Sequence, residues 1–434
     1  MADRAGGWTQ TAIEEWVRGT LGAERVELTV LTGGNSRFVA VAATSGPDAG
    51  RRAVVRANLR HDPTDPFPVE HEARVYAALR GTGVVAPALR AVSGDAAVLV
   101  TDLVPGRTDL RDLPPDRLRA LTRDLLRVLD GLHAVPLGQL AEAGSVLGEP
   151  VPASMEAAVR AELARWSAAA RAAPAPPDPL VELGLRWLVE NVPAVAGPPT
   201  LVHGDLGPEN FLHDGEAVTG LIDWELAHLG DPLEDVGWLL MRTALADLPE
   251  MADEVVAHLA APEAGRLDYQ LVLVLWKLLV IRHRAVGDAG RNLGRDVYYR
   301  LRHRRMFVEA IARALGVAEP AAEPPEWRAT DRSWLFDAAV EQLKQVALPA
   351  VEADAERVRL SGLVRLLRYL RLWDGVQAPA GSALLAERIR DARIAVDDAF
   401  PELARGILAE HALCADLLGV NRDVPLLPRR LTQT

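Results

Sequence analysis

The chain has 434 residues, of which 49% are hydrophobic and 25% are charged, a composition typical of folded proteins with two or three domains. Its formal net charge of −12 at pH 7 argues against nucleic acid or an anionic membrane as a partner, because both repel an acidic protein. The single cysteine, Cys414, excludes a disulfide within the chain and any cysteine-rich metal site.

The sequence contains no segment that we interpret as a signal peptide or a membrane span. Residues 1–15 lack an apolar core. The most apolar run, residues 271–281, includes Lys277 and falls short of the roughly 20 residues that cross a bilayer. We therefore expect a cytoplasmic protein without a membrane partner. The sequence does not indicate an oligomeric state.

The first hundred residues alternate between strand and helix patterns. Residues 9–21 carry apolar side chains on one helical face, with Thr9 as a candidate N-cap. Apolar or alternating segments separated by glycine-rich turns predict a small antiparallel sheet. The predicted strands are 26–31, 37–43 and 53–57, followed by a helix at 68–80 and strand-like residues from 84 to 104.

Helical patterns dominate from Leu110 onward, with residues 200–224 as the exception. The predicted helices are 115–133, 152–171, 178–190, 234–246 and 266–315. A proline-rich break at 318–330 predicts a domain boundary. Beyond it, residues 334–418 predict three or four more helices.

The residues suited to catalysis are concentrated after residue 200. His203-Gly204-Asp205 follows a short strand pattern, and Asn210 and Asp223 come later in the same segment. Phosphoryl transfer needs oxygen ligands for Mg²⁺ and a carboxylate that orients the attacking hydroxyl, and these are the required residue types. Protein kinases have the same Asp-to-Asn spacing, with an arginine in the place of Gly204.

This segment resembles the catalytic core of the aminoglycoside phosphotransferase family. The motifs H-G-D-x-x-x-x-N, I-D-W-E and G-D-P-x-x-D occur in this order between His203 and Asp235, and the likeness extends over roughly residues 10–315. It implies an α+β, protein-kinase-like bilobal fold with a small antiparallel-sheet N-lobe and a mainly helical C-lobe. An additional all-α C-terminal domain would follow.

The resemblance implies an ATP-dependent kinase that uses Mg²⁺. Asp205 would be the catalytic base or the residue that orients the hydroxyl. Asn210 and Asp223 would be the Mg²⁺ ligands. Because Asp205 and Asp223 are both present, the alternative of a nucleotide-binding regulatory pseudokinase is disfavoured.

Four other polar residues of this segment receive mainly structural interpretations. His203 is expected to brace the catalytic loop. Asp231 and Asp235 are expected to cap or clamp the loop and the following helix, because Asp231-Pro232 resembles a helix start. Glu225 either reaches a second metal through water or is a structural carboxylate.

The predicted phosphate site of the N-lobe has three parts. Gly33, Gly34 and Ser36 lie between two strand patterns, where they could meet phosphate oxygens, although a plain hairpin turn fits equally. Arg56, on the third strand, takes the place of the kinase lysine, with a solvent-facing arginine as the alternative. Glu72 interrupts an apolar helix face and is its predicted ion-pair partner, because a carboxylate there needs a cation.

The segment Val98–Gly106 resembles the hinge between kinase lobes. The resemblance implies that backbone groups near Asp102 and Val104 meet adenine. As a pattern alone, the segment predicts only a strand that ends in a turn.

The acceptor is predicted to be the hydroxyl of a small molecule. Only seven residues separate Asp223 from Asp231, and no A-P-E motif follows, so an activation loop has no room. Arg56 and the run W-E-L-A-H-L-G-D-P-L-E-D resemble the branch related to the kinase portions of large acyl-CoA dehydrogenases. That likeness implies a hydroxyacyl-CoA, typically phosphorylated at its 4-hydroxyl. The alternative acceptor is an aminoglycoside or macrolide antibiotic, or another small metabolite.

The predicted domain organisation has four parts. They are a nucleotide-binding N-lobe at 1–104, a catalytic and acceptor-binding C-lobe at 105–317, a linker at 318–330 and an all-α accessory domain at 331–434. The last resembles a small helical protein that accompanies some hydroxyacyl-CoA kinases as a separate chain. Arginines between 282 and 305 could contact coenzyme A phosphates, but a solvated arginine face is the preferred interpretation.

Overall fold

The computed structural model describes residues 8–31, 37–46, 52–58, 67–142, 145–147, 149–259, 261–286, 292–376 and 382–419. These residues divide into two compact units. Unit 1 contains the described residues up to Glu162 and those from Ala194 to Glu263. Unit 2 contains those from Leu163 to Pro193 and from Ala264 onward.

Unit 1 begins with a helix and an antiparallel sheet. In chain order its elements are α1 Gln10–Leu21, β1 Arg25–Val30, β2 Phe38–Ser45, β3 Arg52–Ala57, α2 Val69–Leu79, β4 Leu89–Val92 and β5 Val98–Asp102. The strand order is β1-β2-β3-β5-β4. Thr9 caps α1 as predicted, since its hydroxyl accepts from the backbone of Ala12 at 3.2 Å. Ile13 and Val17 of α1 pack on buried sheet residues such as Val55.

Short strands and helices make up the rest of the described chain. They are α3 Pro115–His133, α4 Leu137–Leu140, β6 Ala141–Glu142, β7 Ser145–Val146, β8 Glu149–Pro150, α5 Met155–Arg171, α6 Pro179–Glu190, β9 Thr200–Val202, β10 Phe211–His213, β11 Val218–Leu221, β12 His228–Gly230, α7 Leu233–Ala246, α8 Pro249–His258, α9 Ala261–Arg284, α10 Leu293–Leu315, α11 Ser333–Gln342, α12 Asp354–Asp374, α13 Ser382–Arg390, α14 Val396–Leu413 and α15 Ala415–Leu418. The predicted α+β class, with a small antiparallel sheet, a mainly helical remainder and a C-terminal helical region, is confirmed.

Several elements differ from the prediction. The pattern at 266–315 predicts one helical stretch, but the structure has two helices, α9 and α10. The strands β10 and β12 were not predicted, because three residues are too few to show alternation; they pair with β11 and β9. Among the described helices, none has both the length and the apolar composition needed to cross a bilayer.

Unit 2 packs around α6. Trp276 of α9 and Phe307 of α10 are fully buried, and the Trp276 indole donates to the carbonyl of Val181 at 2.9 Å. A methyl group on Gly184 would lie 2.6 Å from Trp276 Cδ1 and 2.9 Å from Phe307 Cζ. The absence of a side chain at Gly184 therefore permits the close approach of both rings.

We expect Gly184→Ala to lower the free energy of unfolding by about 1–3 kcal/mol, because the new methyl group overlaps two buried rings. The measurement is the urea unfolding midpoint. The matched control is Gly131→Ala in α3, where a methyl group would meet no atom within 4 Å. That change should be neutral or stabilising by up to about 1 kcal/mol. Equal effects of the two substitutions would contradict the assigned packing.

Candidate active site

The loop that carries Asp205 follows β9 and depends on a glycine. Gly204 has φ of +79°, and a side chain there would overlap the carbonyl oxygen of Leu226. Glycine adopts positive φ at no steric cost. The difference from protein kinases, which have arginine here, therefore has a local cause: the loop passes directly over the backbone that follows Asp223 and has no space for a side chain.

Asp235, near the start of α7, anchors this loop. Its carboxylate is fully buried and accepts from the backbone of His203 at 3.0 Å and of Gly204 at 2.9 Å. The ring of His133 is 2.9 Å away. Burial alone would raise the pKa of Asp235, but these partners, His133 foremost, hold that pKa below its usual range. Asp231 precedes α7, and its carboxylate accepts from the backbone N–H of Leu233, the first residue of that helix, at 3.0 Å.

His203 connects the loop to the strand that precedes Asp223. Its Nε2 is 2.9 Å from the carbonyl oxygen of Ile222, and its ring centroid is 4.5 Å from that of Trp224. The side chain is fully buried. These contacts agree with the predicted bracing role.

Asp205 and Asn210 contact each other within the loop. The Asn210 side-chain nitrogen donates to the Asp205 carboxylate at 3.0 Å and to its backbone carbonyl at 2.6 Å. The other carboxylate oxygen of Asp205 accepts from Arg242 of α7. Burial raises the pKa of Asp205, and the nearby charge of Asp223 adds to this, while Arg242 opposes it.

Asp223 occupies a strained backbone position just after β11. Its φ of 69° and ψ of 60° are left-handed, which is uncommon for a residue other than glycine and is concentrated at functional sites. Burial alone would raise the pKa of Asp223, but the Arg56 guanidinium, 2.7 Å from its carboxylate, holds it below the usual range.

Arg56 and Glu72 form the predicted ion pair. The Arg56 Nη1 atom is 2.7 Å from Glu72 Oε1 and also 2.7 Å from Asp223 Oδ1. Glu72 is fully buried, and its second oxygen accepts from Arg37 at 2.9 Å. A continuous chain of charges thus joins Arg37, which precedes β2, and residues of α2 and β3 to the segment that follows β11. That Arg56 and Glu72 act on a nucleotide stays a prediction.

Glu225 lies beside this chain of charges. Its carboxylate is 3.4 Å from Arg37. Burial raises the pKa of Glu225 to about 8, with contributions from Asp223 and Glu72, although Arg37 opposes the change. The structure thus places Glu225 among charges and not on an open surface.

The remaining predicted N-lobe residues are only partly described. Gly33, Gly34 and Ser36 lie outside the described residues. Asp102 is paired with Arg90, and its backbone N–H donates to Ala88 at 2.9 Å. Val104 packs against Gly220. Their contact with adenine stays a prediction.

The donor set suits Mg²⁺. Within the described part of the chain, no group of three or more histidine, cysteine or carboxylate side chains is arranged for a metal ion. Mg²⁺ in phosphoryl-transfer sites is held by one or two protein oxygens together with substrate phosphates. Asp223 supplies a carboxylate. The side-chain nitrogen of Asn210 donates to Asp205, so the amide oxygen of Asn210 is left as a metal ligand.

Two residues of this centre were missed by sequence reasoning. Arg37 shares Glu72 with Arg56, and Arg242 contacts Asp205. Neither arginine belongs to a motif. Gly207 is a weak sequence signal for Arg242, since a side chain at that glycine would lie 2.7 Å from the stem of the arginine.

The centre has the charge, oxygen donors and loop geometry of a phosphotransferase. The model of the phosphotransferase enzyme family known as APH matches residues 28–269, which is more than half of the chain. The chain therefore belongs to this family.

Curated relatives cover a smaller part of the chain. Acyl-CoA dehydrogenase family member 10 of Mus musculus is 29% identical over 182 residues, which are 39% of this chain and 16% of the relative. Acyl-CoA dehydrogenase family member 11 of Homo sapiens is 27% identical over 180 residues, 39% of this chain and 22% of the relative. The matched parts thus span less than a quarter of these relatives.

Solved structures of antibiotic phosphotransferases are similar to the chain at low identity. One is a thermostable aminoglycoside phosphotransferase in complex with ADP and hygromycin B, with 20% identity, a TM-score of 0.48 and coverage of 70% of this chain and 98% of the other. Another is a macrolide 2'-phosphotransferase from Brachybacterium faecium, with 23% identity and a TM-score of 0.45. The match covers 73% of this chain and 99% of the other.

We expect Asp235→Asn to lower the free energy of unfolding by about 3 kcal/mol at pH 7, because it disrupts a buried, hydrogen-bonded carboxylate. The folded pKa is depressed, so the stabilisation is complete above the usual Asp pKa of about 3.9 and is lost as the pH falls through the folded value. The difference in the free energy of unfolding between wild type and variant should therefore become smaller below about pH 4. Urea unfolding at several pH values measures it.

The matched control for this experiment is Asp116→Asn. The Asp116 side chain is 99% exposed, so its replacement should change stability by no more than about 0.5 kcal/mol. If Asp235→Asn behaves like Asp116→Asn, or if its effect persists unchanged at low pH, the anchoring role of the carboxylate is wrong.

Proposed function

We propose that this protein is an ATP-dependent small-molecule kinase that transfers the γ-phosphate to a hydroxyl group, with a 4-hydroxyacyl-CoA as the acceptor. The observation that carries the kinase part is the charge chain of Glu72, Arg56 and Asp223. It connects α2 and the N-terminal sheet to Asp223. The residue before Asp223, Ile222, contacts His203 and the backbone of Asn210 in the loop that holds Asp205.

The contacts suggest a division of roles in the transfer. Asp205 orients the acceptor hydroxyl and takes its proton while the hydroxyl oxygen attacks the γ-phosphorus and ADP leaves. Its raised pKa brings the carboxylate closer to the pKa of an effective base at neutral pH. Arg56, held by Glu72, supplies a permanent positive charge for the phosphates. Asn210 and Asp223 would hold Mg²⁺, which when bound neutralises phosphate charge.

The size of the acceptor is limited by the segment between Asp223 and Asp231. A single turn at Trp224–Leu226 and the short strand β12 occupy this segment, so it offers no long loop on which a protein substrate could dock. This arrangement favours a small acceptor.

The identity of the acceptor rests on sequence likeness. The curated relatives carry the name acyl-CoA dehydrogenase, and Arg56 belongs to the pattern that the chain shares with the kinase portions of such enzymes. A hydroxyl-bearing CoA thioester is the acceptor that fits both the names of these relatives and the shared sequence pattern. The additional helical region would then be a fused accessory domain.

We expect Asp205→Asn to reduce phosphoryl transfer by at least about 10³-fold without unfolding the protein, because the acceptor hydroxyl loses its proton acceptor. The assay incubates the protein with Mg-ATP and a panel of hydroxyacyl-CoAs, aminoglycosides and macrolides, and detects phosphorylated product by mass. Asp112→Asn, which changes an exposed carboxylate, is the control. Failure of every thioester would reject the proposed acceptor, and full activity of Asp205→Asn would reject the proposed base.

We expect Glu72→Gln to raise the KM for ATP about tenfold or more and to lower kcat, because Arg56 and Arg37 lose their shared carboxylate. The same helix offers a matched control. Glu70 is half-exposed and forms an ion pair with the equally exposed Arg74, so Glu70→Gln should leave both constants unchanged. Unchanged kinetics in Glu72→Gln would show that the ion pair does not serve ATP.

A further inference from the structure

Arg242 is the residue of the centre that the roles above leave unexplained. It lies in α7, two turns after the anchor Asp235, and one of its terminal nitrogens contacts Asp205 Oδ1. Its side chain is 24% exposed. A permanent cation therefore lies on the same carboxylate that is proposed to receive the acceptor hydroxyl.

The surroundings of Arg242 fix its position. The guanidinium carbon is 5.6 Å from the centroid of the buried Trp238 ring, a cation–π distance. The stem passes Gly207, where a methyl group would lie 2.7 Å from Arg242 Cγ. Glu209 is 3.8 Å from the other terminal nitrogen. The catalytic loop and α7 thus leave space for this arginine and hold it against Asp205.

The contact does not prevent Asp205 from binding a hydroxyl. A carboxylate offers about four lone-pair sites, of which Arg242 and Asn210 use one each. An acceptor hydroxyl on the same carboxylate would lie within about 5 Å of the guanidinium, since two hydrogen bonds of about 2.8 Å share the carboxylate. Any polar group next to the reacting hydroxyl would therefore meet Arg242.

We propose that Arg242 is an acceptor-binding residue that selects for an oxygen group, a carbonyl or a carboxylate, close to the reacting hydroxyl. It donates to that oxygen and disfavours acceptors with an ammonium group at the same place. This inference rests on the proposed kinase function and extends it, because it specifies the chemistry around the hydroxyl. A thioester carbonyl satisfies Arg242, whereas an amino sugar is repelled by it, on the order of 10- to 100-fold at these distances.

The test is a double-mutant cycle between Arg242 and the acceptor carbonyl. Wild type, Arg242→Gln and Arg242→Lys are compared on a 4-hydroxyacyl-CoA, on the thioether analogue in which CH₂ replaces the carbonyl, and on an aminoglycoside. ATP hydrolysis without an acceptor is measured in parallel. Arg328→Gln, which removes an equal charge from an exposed pair with Glu326, is the control and should match wild type.

The expected result is that Arg242→Gln loses more activity on the acceptor that carries the carbonyl than on the thioether or on water. Wild type should prefer the thioester to the thioether by about 10- to 100-fold, mainly through KM, and Arg242→Gln should abolish this preference. Arg242→Lys should retain part of it, because lysine keeps the charge but not the fork. The KM for ATP should stay within about twofold of wild type. ATP hydrolysis should fall in Arg242→Gln, because Arg242 contacts Asp205, but by a smaller factor than transfer to the thioester.

Two results would overturn the assignment. If Arg242→Gln lowers thioester, thioether and water reactions by the same factor, Arg242 only positions Asp205. If wild type phosphorylates no thioester, the proposed acceptor is wrong. The role of Arg242 is then tested by comparing aminoglycoside phosphorylation in wild type and Arg242→Gln. An increase in aminoglycoside phosphorylation of about tenfold in Arg242→Gln would then support the repulsive role, and an unchanged rate would reject it.

Discussion

The buried carboxylate of Asp235 determines where the proposed chemistry can occur. It binds two consecutive backbone N–H groups, those of His203 and Gly204, and so fixes the loop immediately before Asp205. Because a buried carboxylate without partners would be very costly, the loop, α7 and His133 of α3 are stabilised together or not at all. Since α7 also carries Arg242, the same helix contacts this loop twice. Asp235 binds the backbone at the start of the loop, and Arg242 contacts the carboxylate of Asp205.

The N-terminal sheet is connected to Asp223 through charge. Glu72 has no exposure to solvent and receives both Arg37 and Arg56, and Arg56 extends the connection to Asp223. A buried carboxylate with two guanidinium partners is satisfied, whereas removal of that carboxylate would take a counter-charge from two largely buried arginines at once. The geometry of the proposed phosphate site therefore depends on α2 as much as on the strands.

The sequence predicted much of this arrangement because several decisive residues occur in ordered motifs. Asp205, Asn210 and Asp223 share one segment, and the apolar face of α2 made the buried Glu72 conspicuous. Arg37 and Arg242 could not be found in the same way. Their importance comes from partners distant in the sequence, and only two of the 48 basic residues are lysines, so one more arginine carries no signal. The three-residue strands β10 and β12 were missed because their pairing is set by tertiary contacts.

The presence of arginine at position 56 has a consequence for how such an enzyme can be modified. The lysine of a typical kinase is a nucleophile when deprotonated, so it can be acylated by reactive nucleotide analogues or neutralised by acetylation. A guanidinium remains charged at any accessible pH and has no amine to acylate. Lys277 and Lys344 are the two lysines of the chain, and neither occurs before residue 277 in the sequence. Reagents directed at the lysine of a typical kinase would therefore find no amine at position 56.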